Sequence, residues 1–275
     1  MSVSNLNLFF RNLWRNKLYT CIIVFGFSLA LTFVILLGAY IRQELSVDQF
    51  HVNKERLFRA VTETRSSFGP TIGNYIQHTY PEIECYTRLY QESSFVENLE
   101  REKIAINFLM VDSTFFRMFS FPLLEGEPSE VLKVPSSVVL TRSYARRLYG
   151  DEEAVGKELV CKGIHKLMVT GVVEDFPENT HFNKCDAVVM FPFLEYLWGW
   201  RGLMHNDGNS SFGLYVMAKP GADVTSKEPA ILKDFQEKYW LYKRGYVKEF
   251  AFEPLTDCYF GGKGGVGTHG NSRML

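Results

Sequence analysis

The glycine-rich run from Lys263 to Thr268 (KGGVGT) is the pattern in this sequence that most resembles a chemical site. In a phosphate-binding loop, backbone amides cradle phosphate oxygens and a lysine stands directly before the serine or threonine. Here Gly267 occupies that position, and the residues that follow (HGN) do not begin an amphipathic helix. We therefore interpret residues 261–275 as a flexible, glycine-rich linker.

A second candidate is the group Asp175, Glu178 and His181, whose side chains could transfer protons. Catalysis would need a nucleophile or metal within reach of them, and no such partner accompanies them in the sequence. Pro177 and Asn179 lie among them and are typical turn residues. The pattern favours residues that cap and solvate a turn, and we predict no catalytic residue in the chain.

The composition gives no support for a metal, cofactor or nucleic-acid site. The histidines form no H-x-x-x-H pair and the cysteines no C-x-x-C pair, so no zinc site is indicated. With 30 basic and 31 acidic residues, the chain lacks the excess positive charge that nucleic acids attract. Four cysteines outside the apolar segment described below allow three pairings, and their spacing favours none: Cys85, Cys161, Cys185 and Cys258. Buried, unpaired thiols are the favoured interpretation, because a domain of this size can build its own core.

An uncharged segment of 24 residues, from Leu18 to Ile41, predicts a transmembrane helix. At about 1.5 Å per residue it is long enough for a hydrocarbon core of about 30 Å. A cleavable signal peptide is the alternative, but its apolar region is shorter and ends at small residues. Residues 1–17 contain only basic charges, which predicts a cytoplasmic N-terminus and an extracytoplasmic main domain. Charged residues recur throughout the remainder, so we expect no second span.

The segment 1–17 ahead of this span has an apolar face and a basic face. Its apolar residues recur at helical spacing: Leu6, Phe9, Phe10, Leu13 and Trp14. Arg11, Arg15 and Lys17 carry its positive charge. The pattern favours a cytoplasmic amphipathic helix that lies among lipid headgroups. The alternative is a continuation of the membrane helix in which Trp14 and Tyr19 form an interfacial aromatic belt.

The residues after the span predict an α+β domain with mixed sheets and few helices. Alternating or continuous apolar runs predict strands at 57–64, 87–96, 103–111, 137–140, 166–173, 187–191, 212–218 and 247–255. Helical spacing and end signals predict helices at 70–80, 143–149 and 231–240. Trp198 and Trp200 stand in a region rich in glycine and asparagine, as contact residues or as the lid of a small core.

The order of these elements predicts a two-lobed extracytoplasmic domain over residues 57–260. Residues 57–111 and 212–260 share a strand–helix–strand character and form the predicted first lobe. Residues 112–211 differ from them and form a predicted inserted second lobe. Residues 42–56 connect the span to this domain as a stem.

Several runs, in order, resemble the FtsX-like/MacB-type ABC transporter permeases. The opening FRNLWRNKLY (residues 10–19) and the exit from the span, ELSVDQFH (44–51) with RLFR (56–59), are similar to the start of those proteins. Later runs resemble the MacB-like periplasmic core domain: VDSTFFRMFSFPLLEG (111–126), VVLT (138–141), VTGVVEDFP (169–177) and EPLTD (253–257). The resemblance covers nearly the whole chain.

The resemblance implies several partners and no chemistry in the chain itself. Such permeases have further spans after this domain, work as dimers, and associate with an ABC-type ATPase subunit in the inner membrane of a bacterium. Membrane lipid and a periplasmic or outer-membrane protein are further implied contacts.

The resemblance also implies two sets of site residues. An ATPase-side interfacial helix would use Phe9, Phe10, Arg11, Trp14, Arg15 and Lys17. A stem that transmits motion would use Glu44, Asp48, Phe50, His51 and Arg56.

The resemblance predicts the N-terminal portion of a permease that couples cytoplasmic ATP hydrolysis to movement of the outer domain, for export or envelope remodelling. The sequence stops at Leu275, where the next span is expected, and it contains no ATPase signature. We therefore expect either a fragment of a longer permease or a shortened protein. The alternative is a single-pass receptor or scaffold that binds a peptide or protein through its outer domain.

Overall fold

The computed structural model describes residues 11, 14–63, 65–97, 102–208 and 210–260. It divides into two compact units, Met1–Ser46 and Val47–Leu275. The predicted linker at 261–275, together with Phe9 and Phe10 of the predicted interfacial helix, lies outside the described residues.

The first unit contains one long helix, α1 (Lys17–Glu44). It has a mean hydropathy of 2.6 and no buried residue, so it is apolar on all sides. A helix of 28 residues with this composition is long enough to cross a membrane. Arg42 in its last turn is well placed to interact with the negative end of the helix dipole. The apolar segment predicted from the sequence is therefore a continuous helix.

In the described residues, the second unit contains ten strands. They are β1 (Leu57–Val61), β2 (Ile83–Glu97), β3 (Lys103–Val111), β4 (Leu123–Glu125), β5 (Ser137–Thr141), β6 (Glu158–Cys161), β7 (His165–Val173), β8 (Ala187–Met190), β9 (Gly213–Ala218) and β10 (Ala251–Pro254). They form one sheet in the order β10-β1-β9-β2-β3-β8-β5-β7-β4, and β6 pairs with β2 and β7. The β3–β8 and β5–β7 pairs are parallel and all the other pairs are antiparallel, so the sheet is mixed.

Six helices accompany the sheet in the part of the unit that the structure describes: α2 (Ile72–Thr79), α3 (Phe115–Met118), α4 (Arg142–Tyr149), α5 (Phe193–Trp198), α6 (Glu228–Lys238) and α7 (Trp240–Lys243). Short 3₁₀ turns occur at Lys54–Arg56, Leu203–His205, Thr225–Lys227 and Leu255–Asp257. Strands from both predicted lobes join in the one sheet, through the pairing of β3 with β8. The division into lobes stays a prediction.

The middle of the sheet is covered on both faces. Along β5, Val138 and Leu140 pack into one hydrophobic cluster, whereas Val139 packs into another. Along β3, Phe108 and Leu109 divide between the same two clusters. Successive side chains of a strand point to opposite faces, so a strand buried on both sides is a continuous apolar run. This explains why β5 is buried at every position.

The last strand is shorter than the sequence pattern predicts. Strand β10 begins at Ala251, although alternation extends back to Val247. The Glu63 carboxylate accepts hydrogen bonds from the backbone amides of Lys248 and Glu249, at 3.1 and 3.2 Å. These amides are therefore bound by a side chain and do not join the sheet.

Candidate functional site

Four of the five predicted stem residues belong to the second unit, where they lie at the start of the domain. Asp48 and His51 are buried, and Phe50 and Arg56 are half-buried. The fifth, Glu44, ends helix α1 in the first unit. Asp48 adopts a left-handed backbone conformation with φ of 58°. Aspartate tolerates this conformation better than most residues, and it turns the chain into the domain.

The Asp48 carboxylate is held by three hydrogen-bond donors from residues 180 and 181. The Thr180 hydroxyl donates to Oδ1 at 2.8 Å, and Nδ1 of His181 lies 2.7 Å from Oδ2. The backbone N–H of His181 lies 3.3 Å from both oxygens. Burial by itself would raise the pKa of Asp48, but His181, His51 and Thr180 hold it well below its ordinary value. Asp48 is therefore ionised, and Nδ1 of His181 is the donor in their hydrogen bond.

His51 is buried in an aromatic environment. Its Nδ1 accepts a hydrogen bond from the Ser120 backbone N–H at 3.0 Å. Its ring lies 5.2 Å from the rings of Phe119 and Phe121. An accepting nitrogen carries no proton, so the ring is neutral with its proton on Nε2. Nε2 lies 3.7 Å from Asp48, which is beyond hydrogen-bonding range. Burial lowers the pKa of His51, and this effect outweighs the attraction of Asp48.

The polar network continues from His181 into the sheet. Nε2 of His181 lies 2.8 Å from the hydroxyl of Tyr215 on β9. Burial raises the pKa of Tyr215, so this phenol stays protonated. Arg59 on β1 is the cross-strand neighbour of Tyr215. Arg59 donates from Nε and Nη2 to Glu253 on β10, at 2.9 and 2.6 Å.

Arg56 anchors the stem to a different part of the sheet. Its Nη1 donates to the Glu84 carboxylate at 2.9 Å and to the Ala218 carbonyl at 3.0 Å. Its Nη2 donates to the Asn53 side chain at 2.8 Å. The stem residues from Asp48 to Arg56 are therefore fixed to the domain by directional bonds at both of their ends.

The described part of the predicted interfacial helix lies in the first unit and is exposed. Arg11, Trp14 and Arg15 are helical, and Lys17 begins α1. The Lys17 ammonium lies 5.5 Å from the centre of the Trp14 ring, a cation–π distance. An apolar ring beside a basic group is the composition that suits a headgroup region.

The group Asp175, Glu178 and His181 is not assembled into one site. Asp175 accepts hydrogen bonds from the backbone N–H of Ser143, at 3.0 Å, and from its hydroxyl, so it caps helix α4. Glu178 forms an exposed ion pair with Lys184. His181 turns inward to Asp48. The prediction that these residues cap and solvate a turn therefore fits the exposed Glu178. Asp175 caps a helix and not a turn, and for His181 the prediction was wrong.

Four further residues belong to this network but were not predicted as site residues: Thr180, Tyr215, Arg59 and Glu253. Arg59 and Glu253 did carry a signal, because each is a charged residue inside a short apolar strand. A charge buried in a strand requires a partner. The partner itself could not be identified from the sequence, because these two residues are 194 positions apart.

The five cysteines are free thiols, and the four in the domain are buried. Burial raises the pKa of Cys185 and Cys258, which makes both unreactive. Among the described residues, no group of three or more His, Cys, Asp or Glu side chains is arranged to hold a metal ion.

An aromatic cleft of about 400 Å³ opens elsewhere in the second unit. Phe68 and Tyr239 line it, together with Arg65. Trp240 and Tyr246 contribute exposed rings whose centres lie 6.0 Å apart. Trp198 is half-buried and packs against the domain core instead, with its ring 5.4 Å from that of Tyr90.

Comparison with known proteins identifies the fold. A family profile described as the MacB-like periplasmic core domain matches residues 20–233. No curated protein matches the chain.

Three solved structures share the fold. A domain of a putative permease protein from Porphyromonas gingivalis has a TM-score of 0.62 and 21% identity, over 74% of this chain and 92% of that one. The periplasmic region of MacB from Actinobacillus actinomycetemcomitans has a TM-score of 0.54 and 15% identity, over 74% and 89%. The extracellular domain of the noncanonic ABC-type transporter YknZ from Gram-positive bacteria has a TM-score of 0.51 and 12% identity, over 71% and 98%. The predicted fold class, an N-terminal apolar helix followed by a mixed α/β domain, is confirmed.

Proposed function

Because the chain belongs to the transporter-permease family that carries the MacB-like periplasmic core domain, we propose that it couples cytoplasmic ATP hydrolysis to movement of its outer domain. On this proposal it is the N-terminal portion of an ABC transporter permease for export or envelope remodelling. Its N-terminus is cytoplasmic, and α1 crosses the inner membrane of a bacterium. The chain performs no chemistry, and ATP is hydrolysed by a partner ATPase.

The observation that carries the coupling role is the anchoring of residues 47–56. This segment directly follows α1 and its unit in sequence, and it is fixed by the buried Asp48 carboxylate and by Arg56. A loose connection would absorb a displacement of the helix, whereas a segment held by buried, directional bonds transmits it. The stem is thus suited to carry motion between helix and domain.

The partners follow from the same proposal. An ABC-type ATPase contacts the segment from Phe9 to Lys17, and a second permease copy or further spans complete the membrane part. Lipid headgroups surround Trp14 and Lys17, and a periplasmic or outer-membrane protein contacts the outer domain. In the full coding sequence we expect three further apolar spans after Leu275, and DNA sequencing through that region tests this expectation.

Deletion of residues 2–16 tests the ATPase contact. We expect the tagged chain to lose its co-purifying ATPase from native membranes, because the deletion removes the basic and apolar faces proposed to contact it. The outer domain should stay folded, as judged by its protease resistance. The matched control replaces residues 2–16 by a scrambled segment of the same composition, which should also lose the ATPase. Undiminished association after the deletion would refute the proposed role of the segment.

The aromatic cleft favours one second candidate, a receptor that binds a peptide through its outer domain. Exposed tryptophan and tyrosine rings beside an arginine are typical of peptide-binding surfaces. A receptor of this kind would bind amphipathic peptides with a change in tryptophan fluorescence that Trp240→Ala abolishes. It would also bind them equally well after deletion of residues 2–16. If the fluorescence of the intact chain does not respond to a peptide library, this candidate fails.

A further inference from the structure

Three polar side chains form a row across the sheet. Tyr215 on β9 is in register with Arg59 on β1, and Arg59 is in register with Glu253 on β10. Directly paired residues project from the same face of a sheet, so the three side chains are neighbours. All three are at least 96% buried, which is exceptional for a charged pair and a phenol.

The row is continuous with the stem at one end. The Tyr215 hydroxyl lies 2.8 Å from Nε2 of His181, and Nδ1 of His181 lies 2.7 Å from Oδ2 of Asp48. At the other end, Glu253 belongs to the C-terminal segment (residues 251–260). Arg59 also reaches the carbonyl of Cys258 in that segment, at 3.5 Å.

We propose that Asp48, His181, Tyr215, Arg59 and Glu253 form one polar relay that positions the stem (residues 47–56) and the C-terminal segment (residues 251–260) as a single mechanical piece. A displacement of one segment then displaces the other. The relay joins the two ends of the described domain through its interior. The use of this linkage in transport rests on the proposed function, whereas the linkage itself does not.

The physical basis is the difference between apolar and polar contacts in a core. Apolar contacts have no preferred direction, because the hydrophobic effect depends on the area buried, so a displaced apolar side chain can keep part of its stabilisation. Buried hydrogen bonds and ion pairs are directional, and a partner that moves away leaves a group without solvation. Water cannot replace the lost partner at a depth where Arg59 and Glu253 are 2% and 1% exposed.

Tyr215 is the residue through which the relay can be interrupted with least damage. Its hydroxyl connects the row of the sheet to His181. Its ring packs against the rings of Phe119 and Phe182, with distances of 5.6 and 5.9 Å between ring centres. Tyr215→Phe keeps the ring and removes only the hydroxyl. The matched control is Tyr144→Phe, because the Tyr144 hydroxyl is also a buried donor, to the Ala105 carbonyl at 2.9 Å, but belongs to a different cluster.

The experiment weakens the relay beside Asp48 and measures amide hydrogen exchange in the C-terminal segment (residues 251–260). Thr180→Val removes one hydrogen bond to Asp48 with almost no change of volume. Amide hydrogen exchange is followed by mass spectrometry in the full chain, for peptides that cover residues 47–56 and 251–260. We expect Thr180→Val to accelerate exchange in both segments, by on the order of tenfold near Asp48, in line with the loss of a hydrogen bond to a charged group.

In the Tyr215→Phe background, Thr180→Val should accelerate exchange only at residues 47–56. In the Tyr144→Phe background it should still accelerate both segments. The relay is disproved if Thr180→Val does not accelerate amide exchange at residues 251–260. It is also disproved if the acceleration there is the same with and without the Tyr215 hydroxyl. Neither result depends on an ATPase or on transport, so the relay and the proposed function can fail separately.

Discussion

At the scale of single residues, the buried pair Asp48 and His51 makes the fold sensitive to acid. The pKa of His51 is lowered in the fold, mainly by burial, so the native protein keeps this ring neutral. Below a pH of about 6.5, the usual pKa of histidine, the unfolded chain binds a proton that the fold excludes. The free energy of unfolding therefore falls as the pH drops from about 6.5 to the lower pKa of the folded state.

Asp48 acts in the same direction at lower pH. Burial alone would raise its pKa, but the donors around it stabilise the carboxylate and depress the pKa below the ordinary value of 3.8. The stability that it contributes is complete above that value and is lost as the pH falls through the folded-state pKa. The fold should thus lose stability in two successive stages on acidification.

Chemical denaturation of the full chain in detergent, at pH values from about 8 to about 2, tests this prediction. His51→Asn keeps an acceptor for the Ser120 amide but cannot take up a proton, so the first stage should disappear. The exposed His78 provides the control, and His78→Asn should leave both stages unchanged. If His51→Asn follows the native curve at every pH, another group is responsible for the first stage.

The Arg59–Glu253 pair permits a second prediction at this scale. Glu253→Ala should lower the free energy of unfolding by about 3–5 kcal/mol, since it leaves the Arg59 charge buried without its partner. Replacement of both residues together, by Arg59→Met and Glu253→Leu, should cost much less. The exposed Lys133–Glu130 pair is the control, and Glu130→Ala should cost less than about 1 kcal/mol. Equal losses at the two pairs, measured by urea denaturation, would contradict this account.

At the scale of elements, the short strand β4 is followed by a glycine whose neighbours leave no room for a side chain. Gly126 follows β4 with φ of 94°, and a Cβ there would collide with Val131 and with the Thr170 carbonyl. Gly202 has a similar positive φ, of 87°, but a Cβ there would meet nothing within 4 Å. Alanine carries a backbone penalty at both positions, whereas the collision occurs only at Gly126.

Gly126→Ala should therefore be the more destabilising substitution, by about 1–3 kcal/mol beyond Gly202→Ala, the range typical of overpacking. Exchange at the amides that pair β4 with β7 should rise in Gly126→Ala alone, and thermal unfolding of both variants gives the difference in stability. If the two variants melt together, the backbone near Gly126 can move enough to admit the methyl group.

The central elements were predictable because each carries its own signal. Strands β3, β5, β7 and β8 are apolar runs, and α2 follows a proline and precedes another. Strands β4 and β6 were missed because they are only three and four residues long, and they are strands only by pairing with β7 and β2. The polar network could not be predicted either, because it also forms only when distant parts of the chain come together. In the sequence, Tyr215 looks like one more aromatic residue of a buried strand.

At the scale of the whole molecule, the proposed permease function and the polar network together predict how Asp48→Asn in the stem should affect transport. Asp48→Asn changes one atom type and removes the charge, and asparagine accepts the left-handed conformation at φ of 58°. Asparagine offers one acceptor oxygen where Asp48 offers two, and its NH₂ group would face a donor, so one of the bonds from Thr180 and His181 is lost. The bond that remains has a neutral acceptor and is weaker. The domain should fold, but it should hold the stem (residues 47–56) less rigidly.

If the stem transmits motion, ATP-driven transport by Asp48→Asn should fall by about tenfold, the ratio that corresponds to the loss of one charge-assisted hydrogen bond. Association with the ATPase should not change, because the contact proposed for the ATPase lies in residues 1–17. Asp151→Asn removes a carboxylate that is 94% exposed and should affect neither property. Loss of ATPase association in Asp48→Asn would assign this residue to assembly, and full transport would show that the domain moves without a rigid stem. A loss confined to transport, with the ATPase still bound, is the outcome that only a transmitting stem produces.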